Sequence, residues 1–394
     1  MRITNSMLAS NYLNNMTRNL NNMSQVQNQL ASGKEIQRGS ENPHVAVRSM
    51  QLNGEIYAND QYNTNIQSTT NWLDTTDTAL SEANNIIKRI NTLMIKAGNG
   101  TYSPDEISAL NDEVKEKTKE LTSVFNTSFD GNFIFGGTKS TSKPLVQDAD
   151  GKICYADKNG DPINGDNIKI DYTLPSNVTS LSLTSGATIS TKAAAETIIS
   201  QINSLPASDA DYANAQVIKE GLQKIVIPIN QINTHLKTEI SDGVVVDYNK
   251  TVVDVLQFKD KSGTPVNAMN KLADIVSCLN VASGEATTAT LSDGTTVNAT
   301  TALSQVAGGL LQSCSDISAN ISKLRSNVGA MQNRMESSKL INEDQTFNMT
   351  SILSGTEDID FTEKTMEYSV MQTVYTASLQ TSAKVLTNTI LDFI

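Results

Sequence analysis

The apolar positions of the last thirty residues recur at spacings of three and four, which is the period of one face of an α-helix. Between Tyr368 and Leu391, Lys384 is the only side chain with a full charge at neutral pH. Because a helix at a protein surface normally carries charge on its outer face, we expect this one to be surrounded by partners in an assembly. The predicted interface stripe consists of Tyr368, Met371, Tyr375, Leu379, Ala383, Leu386, Ile390 and Phe393.

Residues 3–33 combine an apolar stripe with a similar scarcity of charge. Arg18 is the only charged residue between Ile3 and Gly33. The heptad positions are filled by Leu13, Met16, Leu20, Met23 and Leu30, with Gln27 taking one place in the stripe. Two charge-poor amphipathic segments at opposite ends of the chain predict terminal helices that associate and form an assembly interface. An ordinary pair of core helices is the alternative.

Between the termini the helical period continues over long stretches. One helix is predicted from Pro43 to about Ala97, because Asn42 before Pro43 has the pattern of a helix N-cap and the apolar rhythm is unbroken. Ser103-Pro104-Asp105-Glu106 predicts a capping box that opens the next helix. Helical spacing returns from 302 to about 354, which gives a third rod helix.

Residues 138–300 have a different character. Gly, Asp, Ser and Thr separate short alternating runs, with helical patches near 193–205, 212–239 and 268–279. We expect Pro228 to kink or break the second patch. Residues 155–164 and 258–267 share a pattern with Gly two residues before a proline, which predicts two hairpin turns of one type. A duplicated element and convergent turn chemistry are the two alternative origins.

These patterns predict a mainly α fold, a long antiparallel helical rod or coiled-coil bundle formed by both chain ends, with an inserted α+β domain. The expected domains are terminal assembly helices, 1–42 with 358–394; a helical rod, 43–139 with 301–357; and the insert, 140–300. Because the insert leaves and rejoins the chain between helices that pack together, we expect the rod to fold without it.

Composition and motifs limit the possible chemistry. A net charge of −12 argues against nucleic acid or an anionic membrane as partner. Three cysteines without ligand spacing predict neither a disulfide framework nor a zinc site, and two histidines leave little material for nucleophilic catalysis. Asp157 begins a segment like a calcium loop, but Pro162 stands where that loop needs glycine. We therefore expect no enzyme activity, cofactor or metal.

Neither a secretory signal nor a membrane span is visible in the sequence. The first residues lack the apolar core of a signal peptide, and no run of 18 apolar residues occurs. We therefore expect a soluble chain.

Several segments resemble flagellins and their relatives, and within that group the proteins of the hook–filament junction. The similarity covers roughly residues 1–140 and 302–394, and a weaker one runs from Val246 to Leu279. The segments that carry it are Met1–Met7, Ser32–Arg38, Trp72–Asp77, Phe133–Gly137 and Leu391–Ile394.

The resemblance implies a structural adaptor exported through the flagellar type III apparatus, without a cleaved signal peptide, to the extracellular flagellum. It implies a ring of copies between hook-associated protein 1 and flagellin, and an export chaperone as a further partner. A flagellin filament subunit is the near alternative, and an adhesin carried by the insert is the alternative from another class. Neither nucleic acid nor membrane is expected as a partner.

Overall fold

The computed structural model describes residues 5–99, 102–148, 151–157, 159–163, 172–175, 177–184, 186–189, 192–206 and 209–386. Its contacts divide the chain into two compact units. Unit 1 comprises Met1–Asn63 and Lys339–Ile394, and unit 2 comprises Thr64–Ser338. Helices dominate both units, so the predicted fold class is confirmed. The three predicted domain ranges stay predictions.

The long helices begin and end close to where the apolar period predicts them. The helices among the described residues are α1 (Asn5–Ser32), α2 (Pro43–Gly98), α3 (Pro104–Phe125), α4 (Lys192–Asn203), α5 (Tyr212–Asn233), α6 (Val252–Leu256), α7 (Ala268–Ala282), α8 (Ala299–Gln305), α9 (Leu311–Glu357) and α10 (Phe361–Leu386). A short π-helix, Val306–Leu310, joins α8 to α9, and non-helical dihedral angles at Gly308 mark a kink there.

Strands are short and pair only in antiparallel fashion among the described residues. They are β1 (Ser128–Phe129), β2 (Asn132–Phe133), β3 (Leu145–Gln147), β4 (Ile153–Ala156), β5 (Pro162–Ile163), β6 (Tyr172–Thr173), β7 (Thr188–Ile189), β8 (Lys237–Ser241), β9 (Val244–Asp247), β10 (Gln257–Lys259), β11 (Pro265–Asn267), β12 (Thr288–Thr290) and β13 (Thr296–Asn298). Strands β3, β4 and β5 form one three-stranded sheet, and the others form hairpins or two-stranded pairs.

Local side chains fix several of these boundaries. The predicted capping box of α3 is confirmed, since the Glu106 backbone N–H donates to Ser103 and the Ser103 backbone N–H donates to the Glu106 carboxylate at 2.8 Å. The two predicted hairpin turns are also confirmed. Asp157 Oδ1 accepts from the backbone of Asn159 and Asp161 at 2.8 and 2.9 Å, and Asp260 accepts in the same way two and four residues on.

The break expected at Pro228 does not occur. Helix α5 continues through Pro228, because a proline removes one backbone hydrogen bond while Ile229 and Ile232, which follow it, are buried. Helix α9 ends at Glu357, close to its predicted end near 354.

The core of unit 2 joins the rod helices to most of the insert. One cluster of buried side chains contains Leu80 and Ile87 of α2, Ile317 of α9, and Leu145 and Leu272 of the insert. Polar contacts tie the rod helices together, since Arg325 of α9 donates two hydrogen bonds to the Asp77 carboxylate of α2, both 2.9 Å. The expectation that the rod folds without the insert therefore conflicts with a core that both share.

A smaller second cluster in unit 2 lies between α4, α5 and the β6–β7 pair. Its buried residues are Leu174, Val178, Ile189, Ala195, Ile202, Ala215, Ile218, Leu222 and Val226. Among the described residues of the insert, only this part has a hydrophobic core of its own.

The Phe133–Gly137 motif forms a tight turn that begins at the end of β2. Gly137 has a φ of +59°, and a Cβ at this position would overlap the carbonyl oxygens of Gln231 and Ile232. The Thr138 N–H donates to the Gln231 carbonyl at 2.9 Å. Glycine is therefore needed here so that the turn can approach the end of α5.

Trp72 has a packing role in unit 2. Its ring makes edge-to-face contacts with Phe129 and Tyr248, at centroid distances of 6.2 and 5.8 Å.

Candidate assembly surface

Helices α1 and α10 of unit 1 pack side by side in antiparallel register. The Tyr12 hydroxyl donates to the Ser378 carbonyl, and Asn19 Nδ2 donates to the Met371 carbonyl at 3.5 Å. From the first pair to the second, the position moves seven residues toward the C-terminus on α1 and seven residues toward the N-terminus on α10. The two contacts thus fix which levels of the helices face each other.

Polar contacts join the chain just after α1 to the chain just before α10. The Glu35 N–H donates to the Glu357 carbonyl at 2.6 Å, and Lys34 Nζ lies 2.9 Å from Asp358 Oδ1. The hydrogen bond to Asp358 is the main cause that raises the pKa of Lys34 above its ordinary value. Hydrogen bonds from Ser354 and Lys34 lower the pKa of Asp358. Both shifts favour the charged forms, although the pair is largely exposed and therefore weak.

About half of the predicted interface residues lie in the seam between α1 and α10 within one chain. The half-buried ones are Met16, Met23, Leu30, Tyr368, Met371 and Tyr375. Leu13, Leu20 and Leu379 are exposed. The side chains of Ala383 and Leu386 are not described, and Ile390 and Phe393 lie outside the described residues. Whether these residues contact another copy stays a prediction.

The register of α1 differs from the predicted one at every second position of the stripe. Gln27, which was expected in the stripe, is exposed, whereas Val26 and Gln29 are buried. The seam follows Tyr12, Met16, Asn19, Met23, Val26 and Leu30. Of the predicted positions, Met16, Met23 and Leu30 therefore lie in the seam, and Leu13, Leu20 and Gln27 each lie one residue beside it.

Unit 1 has almost no hydrophobic interior of its own. Among the described residues, Val26 and Leu52 are its only buried hydrophobic side chains. Large exposed hydrophobic side chains are concentrated there instead: Met7, Leu13, Leu20, Val47, Met50, Tyr57, Leu340, Ile341, Phe347, Ile352, Phe361, Met366, Val370, Val374 and Leu379. An exposed apolar surface of this kind is typical of protein–protein interaction sites.

Sequence reasoning missed two parts of this surface. The first is the portion of α2 and α9 in unit 1, where Met50, Tyr57 and Phe347 are each more than 70% exposed. The predicted domain ranges placed these residues in the rod rather than at an assembly surface. The second is a stripe on α10 formed by Met366, Val370 and Val374. The i, i+4 spacing of these three residues was the available signal.

The described residues contain neither a metal-binding cluster nor a helix that could span a membrane. They contain no group of three or more His, Cys, Asp or Glu side chains that could hold a metal ion. In the same part of the chain, no helix combines the length and hydropathy needed to cross a bilayer. In the segment that resembles a calcium loop, the Asp157 Oδ1 atom is engaged by backbone N–H groups of its own turn.

Two family models match the helical ends of the chain. The bacterial flagellin N-terminal helical region matches residues 3–140, and the bacterial flagellin C-terminal helical region matches residues 311–394. Together they cover more than half of the sequence, including all of the described α1 and α10.

Individual relatives agree with these matches. A flagellin of Clostridium tyrobutyricum is 25% identical over 377 residues, which is 94% of this chain and 94% of the relative. Among solved structures, flagellar hook-associated protein 3 from Legionella pneumophila is similar with a TM-score of 0.50 and 13% identity, covering 78% of this chain and 98% of that chain. The latter likeness shows a shared fold. With both of its helical regions present, the chain belongs to the bacterial flagellin family.

Proposed function

We propose that this chain is a structural adaptor of the bacterial flagellum that forms the hook–filament junction. Copies of it form a ring between hook-associated protein 1 and the first flagellin subunits, and no catalytic step or cofactor is involved. The terminal helices, 1–42 with 358–394, carry assembly, and the remaining residues form the body of each subunit.

The exposed apolar surface of unit 1 carries this proposal. Burying one large aliphatic or aromatic side chain contributes about 1.5–3 kcal/mol. Unit 1 gains little of this burial free energy within one chain, because Val26 and Leu52 are its only buried hydrophobic side chains among the described residues. Contacts with neighbouring molecules would supply the missing burial. A subunit of a helical or ring assembly needs such a surface, whereas a monomeric enzyme does not.

Two observations favour the junction over the filament. The Phe133–Gly137 turn and the Leu391–Ile394 ending resemble the junction proteins of the family. The fold is shared with hook-associated protein 3 from Legionella pneumophila over nearly all of that chain. The second candidate is a flagellin filament subunit, which the similarity to the Clostridium tyrobutyricum flagellin along 94% of both chains favours.

The location follows from this role. We propose that the chain is exported through the flagellar type III apparatus, with its terminal segments held by an export chaperone, and that it resides in the extracellular flagellum.

Gold-labelled antibody against this chain on intact flagella tests the proposal. We expect one narrow band between hook and filament, with far fewer copies than flagellin in sheared flagella. Cells that lack the chain should carry hooks without filaments and release flagellin into the medium. Label along the whole filament would refute the junction and support the flagellin alternative.

A further inference from the structure

Helix α10 has two separate apolar faces. One face, with Tyr368, Met371 and Tyr375, is half-buried toward α1. The other lies about 130° around the helix, given 100° per residue. It consists of Met366, Val370 and Val374, which are 64%, 56% and 50% exposed. We call these three residues the outer stripe.

The hydroxyl groups beside the outer stripe already have partners within the helix. Ser369 donates to the Thr365 carbonyl at 2.9 Å, Thr373 to the Ser369 carbonyl at 2.8 Å, and Thr381 to the Ala377 carbonyl at 2.9 Å. A hydroxyl that is bonded to its own helix leaves no unsatisfied donor when a neighbour covers it. At these hydroxyl positions the outer side of α10 can therefore be buried at low cost, and exposed Glu363 is the charged side chain at its N-terminal end.

A partner for this stripe must itself be apolar and poor in charge. Burying the stripe against a charged surface would desolvate charges without pairing them. Helix α1 provides a suitable surface, since Leu13 and Leu20 are 59% and 38% exposed beside the seam. Its single charged residue, Arg18, is turned about 140° away from Leu13.

We propose that the outer stripe of α10 packs against Leu13 and Leu20 of α1 in a second copy of this chain. This inference rests on the proposed function and specifies which face joins neighbouring subunits of the ring. The contact joins two different surfaces, so each copy uses α10 on one side and α1 on the other. Such a head-to-tail contact can continue from copy to copy and build a ring.

The register within one chain gives the levels of the two helices, from which the pairing with a neighbour's antiparallel α1 can be counted. The Tyr12–Ser378 and Asn19–Met371 contacts put Leu13 at the level of Ala377 and Leu20 at the level of Val370. A neighbour shifted by three to four residues, about 5 Å along the helices, brings its Leu13 to Val374 and its Leu20 to Met366. Without this shift Leu13 would face Ala377, outside the outer stripe, so the proposed pairing staggers adjacent copies by about one turn.

Cysteine cross-linking in assembled flagella tests this pairing. Cells would express two variants together, Leu13→Cys and Val374→Cys, and isolated flagella would be oxidised mildly and run on non-reducing gels. Because the two cysteines lie on different chains, only a contact between copies can join them, and a disulfide requires Cα atoms within about 7 Å. Native Cys278 and Cys314 are buried, and wild-type flagella serve as the blank.

We expect a disulfide-linked dimer from the mixed flagella and from neither variant alone. Gln372→Cys is the matched control, because it is exposed on α10 almost half a turn away from Val374, and it should give no dimer with Leu13→Cys. Incorporation of Leu13→Cys and Val374→Cys without a dimer would overturn the pairing, and so would an equal dimer yield from the Gln372 control.

A second pair of variants keeps the pairing testable if the cysteine variants assemble poorly. Val370→Lys should leave hooks without filaments, whereas Gln372→Lys should assemble normally. Normal filaments on Val370→Lys cells would overturn the pairing. The antibody experiment separates the two proposals: label at the junction together with a failed cross-link leaves the function intact, and label along the filament refutes the junction but not the pairing.

Discussion

Leu80 and Leu20 allow one substitution to be compared in the two units. Leu80 on α2 is fully buried in the core of unit 2, whereas Leu20 on α1 is 38% exposed in unit 1. Truncation of a buried leucine to alanine costs about 2–5 kcal/mol, from the lost burial and the cavity that remains. Truncation at the surface usually stays within about 0.5 kcal/mol.

These values predict different melting behaviour of the purified monomer. In unit 2, 1 kcal/mol corresponds to roughly 2 °C in Tm, and in the smaller unit 1 to roughly 4 °C. Leu80→Ala should therefore lower the Tm of unit 2 by about 4–10 °C, and Leu20→Ala that of unit 1 by about 2 °C or less. Thermal unfolding followed by circular dichroism at 222 nm measures both.

An equal loss of Tm from Leu20→Ala and Leu80→Ala would refute the claim that unit 1 has almost no core of its own. That result would mean that α1 and α10 form an ordinary core in the monomer and need no neighbour. Leu20→Ala should instead weaken assembly, which the number of filaments per cell reports independently of the melting temperature.

Three further predictions concern other parts of the chain. Brief trypsin digestion of the monomer should cut unit 1 first and leave a fragment from about Arg48 to Lys339, identified by mass spectrometry; cleavage at Lys88 before Arg48 would contradict the division into units. Replacement of residues 141–299 by a Gly/Ser linker should give aggregated protein, because the insert shares the core of the rod helices, and cooperative unfolding of this variant would refute that. Burial lowers the pKa of Lys139 to about 8 from an ordinary value near 10.4. Between these values the unfolded chain holds a proton that the folded chain has lost, so stability rises with pH. The urea concentration at the midpoint of unfolding should accordingly rise from pH 7.5 to 9.5 by more in the wild type than in Lys139→Met. Equal changes in the two proteins would refute this.

The sequence by itself determined the helical elements and the character of the chain ends. Capping at Ser103, the apolar rhythm of α2, and the glycine turns after Asp157 and Asp260 are local signals, because each depends on residues within a few positions. The scarcity of charge in α1 and α10 is a property of composition, and it was sufficient to suggest assembly.

Only the tertiary structure decided how these elements share their surfaces. An apolar position in a helix has the same periodic signature whether it faces its own chain or another copy, so the sequence could not separate Tyr375 in the seam from Val370 on the outer stripe. Burial of Leu145 and Leu272 in one core with Leu80 joins residues far apart in sequence, and no local pattern reports such contacts. The exposure of Met50 and Phe347 was hidden for a related reason: a regular rhythm shows that a helix has an apolar face, and only packing shows whether that face is covered.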